Sequence, residues 1–382
     1  MRLSDCHNID DFRLLAKRRL PWPVFDYIDG AADDELTKGR NTAAFDEVDL
    51  VPDVLAGVAR IDTGCTIMGR RSELPLVLSP TALQRAFHRD GEKAVARAAA
   101  KFGVWFGISS LATHSIEEIA ALTTAPKLFQ LYVHKDKGLN TSMIERCKAS
   151  GFDALALTVD TIVSGKRERC LRSGFTTPPR FSASSLWSYA TRPRWTLDYV
   201  FGPKFRLPNL DGYVSEGSGK AVSIQDYFNT MLDTGMDWDT AARIRQDWGG
   251  TFALKGVMSA ADARRAVEIG ADAIWISNHG GRQLDGSRAP FDQLEEIVDA
   301  VGGEIEIILD GGVRRGTHVM KSMAMGATAA SGGRLYLYAL AAAGQDGVER
   351  ALAILKEEIE RAMRLMGITC VQQLNRDRLR FR

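Results

Sequence analysis

From residue 74 to about 332 the chain repeats one unit: a short apolar or β-branched run, a polar or glycine-rich break, then a stretch with helical spacing. Eight runs can be read, at 74–79, 104–109, 128–133, 154–159, 252–255, 273–277, 306–309 and 327–332. Each is apolar nearly throughout, the pattern of strands buried on both faces. Segments such as GEKAVARAAAKFG, SAADARRAVEIGA and GTHVMKSMAMGA lie between them and read as helices. Eight strands alternating with helices predict an α/β fold, a parallel sheet closed into a (β/α)8 TIM barrel. Alternation alone leaves a doubly wound open sheet as the alternative. The runs end in SPTA, SSLAT, QLY, TVDT, KG, SNHGGRQLDG, DGGVRRG and GGRL. These endings hold nearly every polar residue able to do chemistry, as in barrel enzymes and for no reason an open sheet supplies.

Two segments stand outside the repeat. Residues 1–73 form an N-terminal extension with a helix at 9–19 and the string PWPVFDYIDGAADDE. Residues 165–245, after the fourth strand, are too long for a structureless loop in a compact domain, so they read as functional or mobile. The chain, 1–382, is read as a single domain. Its 49 Lys and Arg against 48 Asp and Glu point to no polyanionic partner. Five scattered cysteines with no CxxC argue against a disulfide framework or a zinc ribbon. The N-terminus carries acids early and lacks the apolar core of a signal peptide, and no stretch is apolar enough to span a membrane.

The richest ending is Ser277-Asn278-His279-Gly280-Gly281-Arg282. A strand delivers an imidazole and a guanidinium, three residues apart, onto a glycine-softened loop. Imidazole is the usual general base near neutral pH, and a guanidinium clamps a carboxylate through two parallel hydrogen bonds. Together they suit a substrate whose carboxylate lies beside a proton to be removed. The other five histidines read as structural. Asp310-Gly311-Gly312-Val313-Arg314 and Ser331-Gly332-Gly333-Arg334 end the seventh and eighth strands, where barrels commonly bind phosphate. One phosphate site without a Rossmann GxGxxG predicts FMN rather than FAD. Lys255, closing an apolar strand, must meet an anion or a polarised carbonyl, such as a flavin N1–C2=O. Gln130 with Tyr132, and Thr158 with Asp160, are i, i+2 pairs that share one side of a strand. Asp160 is a candidate to orient His279.

At these residues the sequence resembles the FMN-dependent 2-hydroxy-acid dehydrogenase and oxidase family, which includes glycolate oxidase and the membrane L-lactate and mandelate dehydrogenases. SNHGGRQLDG is that family's specific motif, and the likeness runs from FDYIDGAADDE through SPTA, SSLAT, QLYV, LTVD and LKG to LDGGVRRG, loose only at 165–245. The resemblance implies that His279 takes the hydroxyl proton of an L-2-hydroxy acid while the C2 hydrogen leaves to the flavin. It makes Arg282 and Tyr27 carboxylate ligands, Tyr132 the partner of the substrate hydroxyl, Asp160 the stabiliser of the imidazolium, and Arg167 a second arginine near substrate. It places Ser109, Gln130, Thr158, Lys255 and the main chain of Pro80, Thr81 and Ala82 around the isoalloxazine, with Ser277 among the cofactor contacts. Asp310, Gly311, Gly312, Arg314, Gly333 and Arg334 match the ribityl and phosphate site. Two departures bear on specificity. GRLYLY has no proline after its glycine-arginine, closer to the membrane dehydrogenases than to many oxidases. Leu111 replaces an aromatic of glycolate oxidase, which favours lactate or a larger acid.

Within the long insertion, residues 176–215 carry eight aromatics (Phe181, Trp187, Tyr189, Trp195, Tyr199, Phe201, Phe205, Tyr213). Five bases (Arg180, Arg192, Arg194, Lys204, Arg206) face only Asp198 and Asp211. Interleaved aromatic and basic residues suit a lipid headgroup layer. A lid or subunit contact is the alternative, and the enzyme site elsewhere argues against nucleic acid. The expectation is a cytoplasmic homo-oligomer, a tetramer, peripheral on the inner face of the cell membrane, with quinone as electron acceptor. A soluble oxidase reducing O2 is the alternative, and a flavin-binding protein without turnover is disfavoured by the presence of both His279 and Arg282.

Overall fold

The computed structural model describes residues 1–175, 182–203, 205–211 and 230–382. Eight parallel strands close into a barrel: Leu76–Thr81, Trp105–Ser109, Lys127–Leu131, Ala154–Thr158, Thr251–Val257, Ala273–Ser277, Glu306–Asp310 and Ala329–Gly332. Each pairs with its sequence neighbours, and the eighth closes on the first through Ala330–Leu76 and Gly332–Leu78. The open-sheet alternative is thereby excluded. Both faces of most strands are buried, with Trp105, Phe129, Phe252 and Trp275 among the largest fully buried side chains.

Two strands run two residues past their expected ends, both at irregularities that serve the mouth of the barrel. The first strand extends to Thr81 through a register shift after Leu78, where Pro80 has no N–H to give the ladder. The fifth continues to Val257 through a shift after Lys255. Gly256 there has φ +114, and a Cβ on it would lie 2.6 Å from Cβ of Asp160. Only glycine lets that carboxylate sit against the neighbouring strand.

The helix expected at 9–19 is Ile9–Arg19, capped by Asn8, whose side chain accepts from the Asp11 N–H. Trp22–Asp29 and Leu36–Ala43 follow, and this extension lies over the mouth of the barrel. Ala32 N–H donates to Gly281 O (2.9 Å), and Asn41 and Asn278 exchange side-chain amide bonds of 2.8 Å. Two small antiparallel pairs, Val48–Leu50 with Leu379–Phe381 and Cys65–Ile67 with Arg70–Ser72, were not foreseen. Three residues each, they fall below what periodicity resolves.

Among its described residues the 165–245 stretch contains α-helices Glu168–Ser173, Ala183–Ala190 and Pro193–Phe201, and near its end begins Trp238–Trp248. The last packs on helix Lys137–Ala149 and the fifth strand, and belongs to the barrel wall. The insertion proper therefore ends before Trp238. Its inner side is bonded to the body: Trp22 N–H to Ser188 Oγ (2.9 Å), Trp195 Nε1–H to Ala86 O (3.0 Å) and Ile116 N–H to Asn209 Oδ1 (3.1 Å). Its outer side exposes Leu186, Trp187, Leu197, Tyr199, Val200 and Phe201. Of the residues singled out in the insertion, Arg180, Phe181, Lys204 and Tyr213 lie outside the described residues.

Asp29 ties the extension, the insertion and the C-terminal helix together. Its buried carboxylate accepts from Arg13 Nε (2.5 Å), Arg169 Nη1 (2.7 Å) and Tyr338 Oη (2.8 Å), with Lys38 Nζ at 3.4 Å. Burial alone would raise this carboxyl, but Arg13, Lys38 and Arg169 outweigh it and hold it far below the usual range. A group depressed in this way stabilises the fold above the ordinary carboxylate pKa of about 4, and that stabilisation is lost as pH falls. Asp29→Ala leaves buried cations unpaired and should cost about 3–5 kcal/mol at neutral pH. It should also flatten the pH dependence of stability below about pH 5. Urea unfolding at pH 7 and pH 4 measures both effects, and an unchanged midpoint would contradict them.

Candidate active site

The catalytic end of the barrel opens into a cavity beneath the N-terminal extension. Of the expected residues, Tyr27, Pro80, Thr81, Ala82, Ser109, Tyr132, Arg167, Lys255, His279, Arg282, Asp310, Gly311, Gly312, Arg314, Gly333 and Arg334 line it. Asp160, Gln130, Thr158 and Ser277 stand directly behind that wall. Asp160 is bonded to His279, Gln130 Oε1 accepts from Ser109 Oγ (2.8 Å), Thr158 pairs with Lys255 across the strands, and Ser277 Oγ meets Lys255 Nζ at 3.0 Å. Segments up to 300 residues apart in the chain are thus brought to one place.

His279 sits at the end of the sixth strand with φ +57, a left-handed conformation uncommon for a residue with a Cβ. Its backbone N–H donates to Ser277 Oγ (3.2 Å), and Nδ1 lies 2.9 Å from Asp160 Oδ1 and 3.2 Å from Thr161 Oγ1. Thr161 also donates to Asp160 Oδ1 (2.9 Å). Burial pushes the Asp160 carboxyl up, but His279 and Lys255 together hold it below its ordinary value. A carboxylate without a proton can only accept, so the ring carries its hydrogen on Nδ1. Nε2 keeps the free lone pair.

Arg282 is partly buried and donates through Nη1 to Tyr27 O (2.7 Å) and Gly30 O (2.9 Å), with its guanidinium 4.9 Å from the Tyr27 ring centroid. Arg167 lies over the same ring at 5.8 Å, with its Nε buried and unbonded. Arg334 donates to Ile28 O, Gly30 O and Gly280 O at 2.6–3.0 Å. Burial, reinforced by Arg167 and Arg334, pulls the Arg282 guanidinium down to about 10. Arg334 is lowered by the same burial. Cations crowded together around one cavity favour anions from outside the chain.

Lys255 does not reach for an external anion alone. Its Nζ lies 2.5 Å from Asp310 Oδ2, whose carboxylate also accepts from Ser79 Oγ (2.7 Å) and Ser277 Oγ (3.0 Å). Ser79 and Thr161 were not singled out from the sequence, although SPTA and TVDT contain them. Ile28, Phe87 and Leu337 form apolar parts of the cavity wall and were also missed. An isolated apolar side chain gives no chemical cue. Leu111 is buried but does not line the cavity.

Comparison with known proteins decides the family. The family model described as FMN-dependent dehydrogenase matches residues 16–381. The chain belongs to the FMN-dependent dehydrogenase family. It is 40% identical to an L-lactate dehydrogenase of Alcaligenes faecalis over 376 residues, covering 97% of both chains. It is 39% identical to an L-lactate oxidase of Nostoc over 377 residues, covering 98% of both. Among solved structures it is similar to the monotopic membrane protein (S)-mandelate dehydrogenase, with TM-score 0.93 and 34% identity, covering 99% of this chain and all of that one.

The residues present fit FMN. Gln130 Nε2 and Thr158 Oγ1 are buried without a partner, and both stand beside the cavity wall where a ring edge rich in carbonyl and N–H groups would satisfy them. Gly311, Gly312 and Gly333 leave backbone bare beside Arg314, as a phosphate site requires. FMN supplies this dehydrogenase with its two-electron acceptor. The glycine cradle is also a packing requirement, because Gly312 has φ +76 and a Cβ there would meet Asn41 O at 1.9 Å. Gly312→Ala should therefore push helix Leu36–Ala43 off the barrel mouth and cost about 1–3 kcal/mol. A denaturant midpoint equal to wild type would show that the mouth accommodates it.

Proposed function

We propose that this FMN-dependent dehydrogenase oxidises an L-2-hydroxy acid, L-lactate or a larger analogue, to the 2-oxo acid and passes the electrons to quinone at a membrane surface. The observation that carries the chemical part is His279, with Nδ1 fixed by Asp160 at 2.9 Å, in one cavity with Arg282, Arg167 and Tyr27. The arginines and the Tyr27 hydroxyl hold the substrate carboxylate, and Tyr132 meets the hydroxyl. His279 Nε2 removes the hydroxyl proton, and Asp160 offsets the charge the ring acquires. The extension and the barrel wall keep bulk water from the reacting carbon, where each of these charges acts more strongly than in solvent. Lactate and mandelate in the names of the similar proteins support an acid with a substituent larger than hydrogen. Ile28, Phe87 and Leu337 supply an apolar surface for it.

The membrane part rests on the insertion. Helices Ala183–Ala190 and Pro193–Phe201 expose Trp187 at 72% and Phe201 at 80%. Soluble surfaces rarely group bare apolar side chains in this way. Among the described residues no helix is long and apolar enough to cross a membrane, so the contact proposed is with one leaflet. A homo-oligomer, a tetramer, remains part of this reading. The Nostoc lactate oxidase favours a second acceptor, O2.

His279→Gln should retain FMN and lose turnover by roughly 10²–10⁴-fold. A variant within tenfold of wild type would remove His279 from the base role. Arg282→Lys should raise KM as well, since an ammonium cannot reproduce the bidentate clamp. Anaerobic flavin bleaching with glycolate, L-lactate, L-2-hydroxybutyrate and L-mandelate ranks the substrates. Admitting air or a soluble quinone then separates the acceptors: slow reoxidation in air with fast reoxidation by quinone supports the dehydrogenase reading, and rapid H2O2 formation overturns it. Since the insertion is bonded to the body, the membrane test replaces side chains rather than deleting the segment. Trp187→Ser with Phe201→Ser should lower vesicle co-sedimentation at least tenfold, with flavin content unchanged.

A further inference from the structure

A second cavity of about 530 Å³ lies between the insertion and the body, separate from the base and the carboxylate clamp. Its walls come from helix Ile9–Arg19, the loop after the first strand, helix Pro193–Phe201 and the C-terminal helix. Six arginines line it (18, 19, 85, 89, 192 and 194), against two carboxylates, Asp198 and Asp346. Asp198 is already engaged, 3.6 Å from Arg89. Among the described residues Arg18, Arg19 and Arg194 have no ion-pair or hydrogen-bond partner, and Arg192 Nε is buried without one. Arg19 feels both burial and the charge of Arg194, and each lowers its guanidinium pKa. Like charges gathered around one cavity repel one another, and an anion entering it relieves that repulsion.

The nature of that anion follows from the walls. Helix Pro193–Phe201 turns Trp195, Asp198 and Tyr199 to the cavity, with the Trp195 and Tyr199 rings stacked at 5.0 Å. The same helix leaves Leu197, Val200 and Phe201 bare to solvent. A free phosphate would gain nothing from apolar surface beside its site, whereas a phospholipid brings phosphate and hydrocarbon together. Guanidinium forks match phosphate oxygens, and stacked aromatics suit the interfacial layer. We propose that this cavity binds the phosphate headgroup of an anionic phospholipid, seating the enzyme on the bilayer at a defined point. The proposal deepens the membrane reading above and rests on it. Two of the insertion's bases, Arg192 and Arg194, line this cavity shared with the body.

The test uses the full flavin-loaded chain. Its partition is measured onto phosphatidylcholine vesicles with and without phosphatidylglycerol, and in competition with glycerophosphoglycerol or inorganic phosphate. The variant pair is Arg19→Gln with Arg194→Gln. The control pair, Arg264→Gln with Arg361→Gln, removes equal charge from exposed sites outside the cavity. Each cavity arginine is worth about fivefold, so the first pair should bind phosphatidylglycerol vesicles about 25-fold more weakly. The control should lose less than about threefold, as expected for distant screened charges. Glycerophosphoglycerol should displace wild type and have no effect on the residual binding of the cavity pair. FMN content equal to wild type confirms that both pairs fold. Equal losses in the two pairs would reduce the effect to diffuse charge and overturn the site while leaving the membrane reading intact. Saturable phosphate binding that the cavity pair abolishes, with vesicle partition unchanged, would make this a free-phosphate site and overturn the lipid assignment. No vesicle binding by wild type would overturn the membrane reading itself.

Discussion

The mouth of this barrel encloses more positive charge than its own residues neutralise. Arg282 and Arg334 are partly buried, Arg167 and Arg314 stand beside them, and all four line one cavity. Among the described residues carboxylates pair with the rest of the mouth but not with these four. Asp310 is matched to Lys255, and Asp160 to His279. Arg282, Arg314 and Arg334 are instead held by backbone carbonyls, which orient a guanidinium without cancelling its charge. An anion entering this space meets donors already fixed and already desolvated, so little is lost in ordering them. The glycine-lined side of this space suits the phosphate of FMN, and the side beside His279 suits a carboxylate.

Those carbonyls explain why the N-terminal extension belongs to the site. Tyr27, Ile28 and Gly30 offer their oxygens to Arg282 and Arg334 at the point where helix Trp22–Asp29 ends. A helix C-terminus presents unpaired carbonyls and the negative end of its dipole, which favours cations. Asp29, at that same end, is locked by Arg13, Arg169 and Tyr338. The cap is therefore held by one set of cations through its carboxylate, and it holds another set through its main chain.

The barrel was legible because each strand is apolar on both faces and each glycine-rich ending breaks the pattern at the same point of the repeat. The site was legible where chemistry and sequence coincide, as in His279 with Arg282 and Asp310 with Arg314. What could not be read were relations between distant segments. Nothing near Asp29 announces that Arg169 will reach it, and nothing near Asp160 announces that Gly256 must be small to admit it. Lys255 was expected to face an anion, and it does, but that anion includes a carboxylate 55 residues away whose own role looked like phosphate binding. Phe87 and Leu337 were invisible because apolar lining differs from apolar core only in what lies opposite. Likewise the insertion's bases looked like surface charge, since sequence does not show that Arg18 and Arg19 lie across from them.

The insertion leaves the barrel from the strand that carries Asp160, and this placement constrains both of its proposed tasks. Within ten residues of Asp160 the chain delivers Arg167 over the Tyr27 ring and Arg169 to Asp29. Helix Ala183–Ala190 grips Trp22 at the start of the cap through Ser184 and Ser188. Helix Ala183–Ala190, which carries the exposed Trp187, is thus bonded to the same cap whose carbonyls hold Arg282 and Arg334. A contact made at Trp187 would bear on an element joined directly to the roof of the cavity. Phe87 lies on the wall of both cavities, its ring 6.1 Å from that of Tyr27. The arginine-lined cavity and the site of chemistry therefore share an aromatic side chain, so the two proposed sites are in contact through the body of the protein.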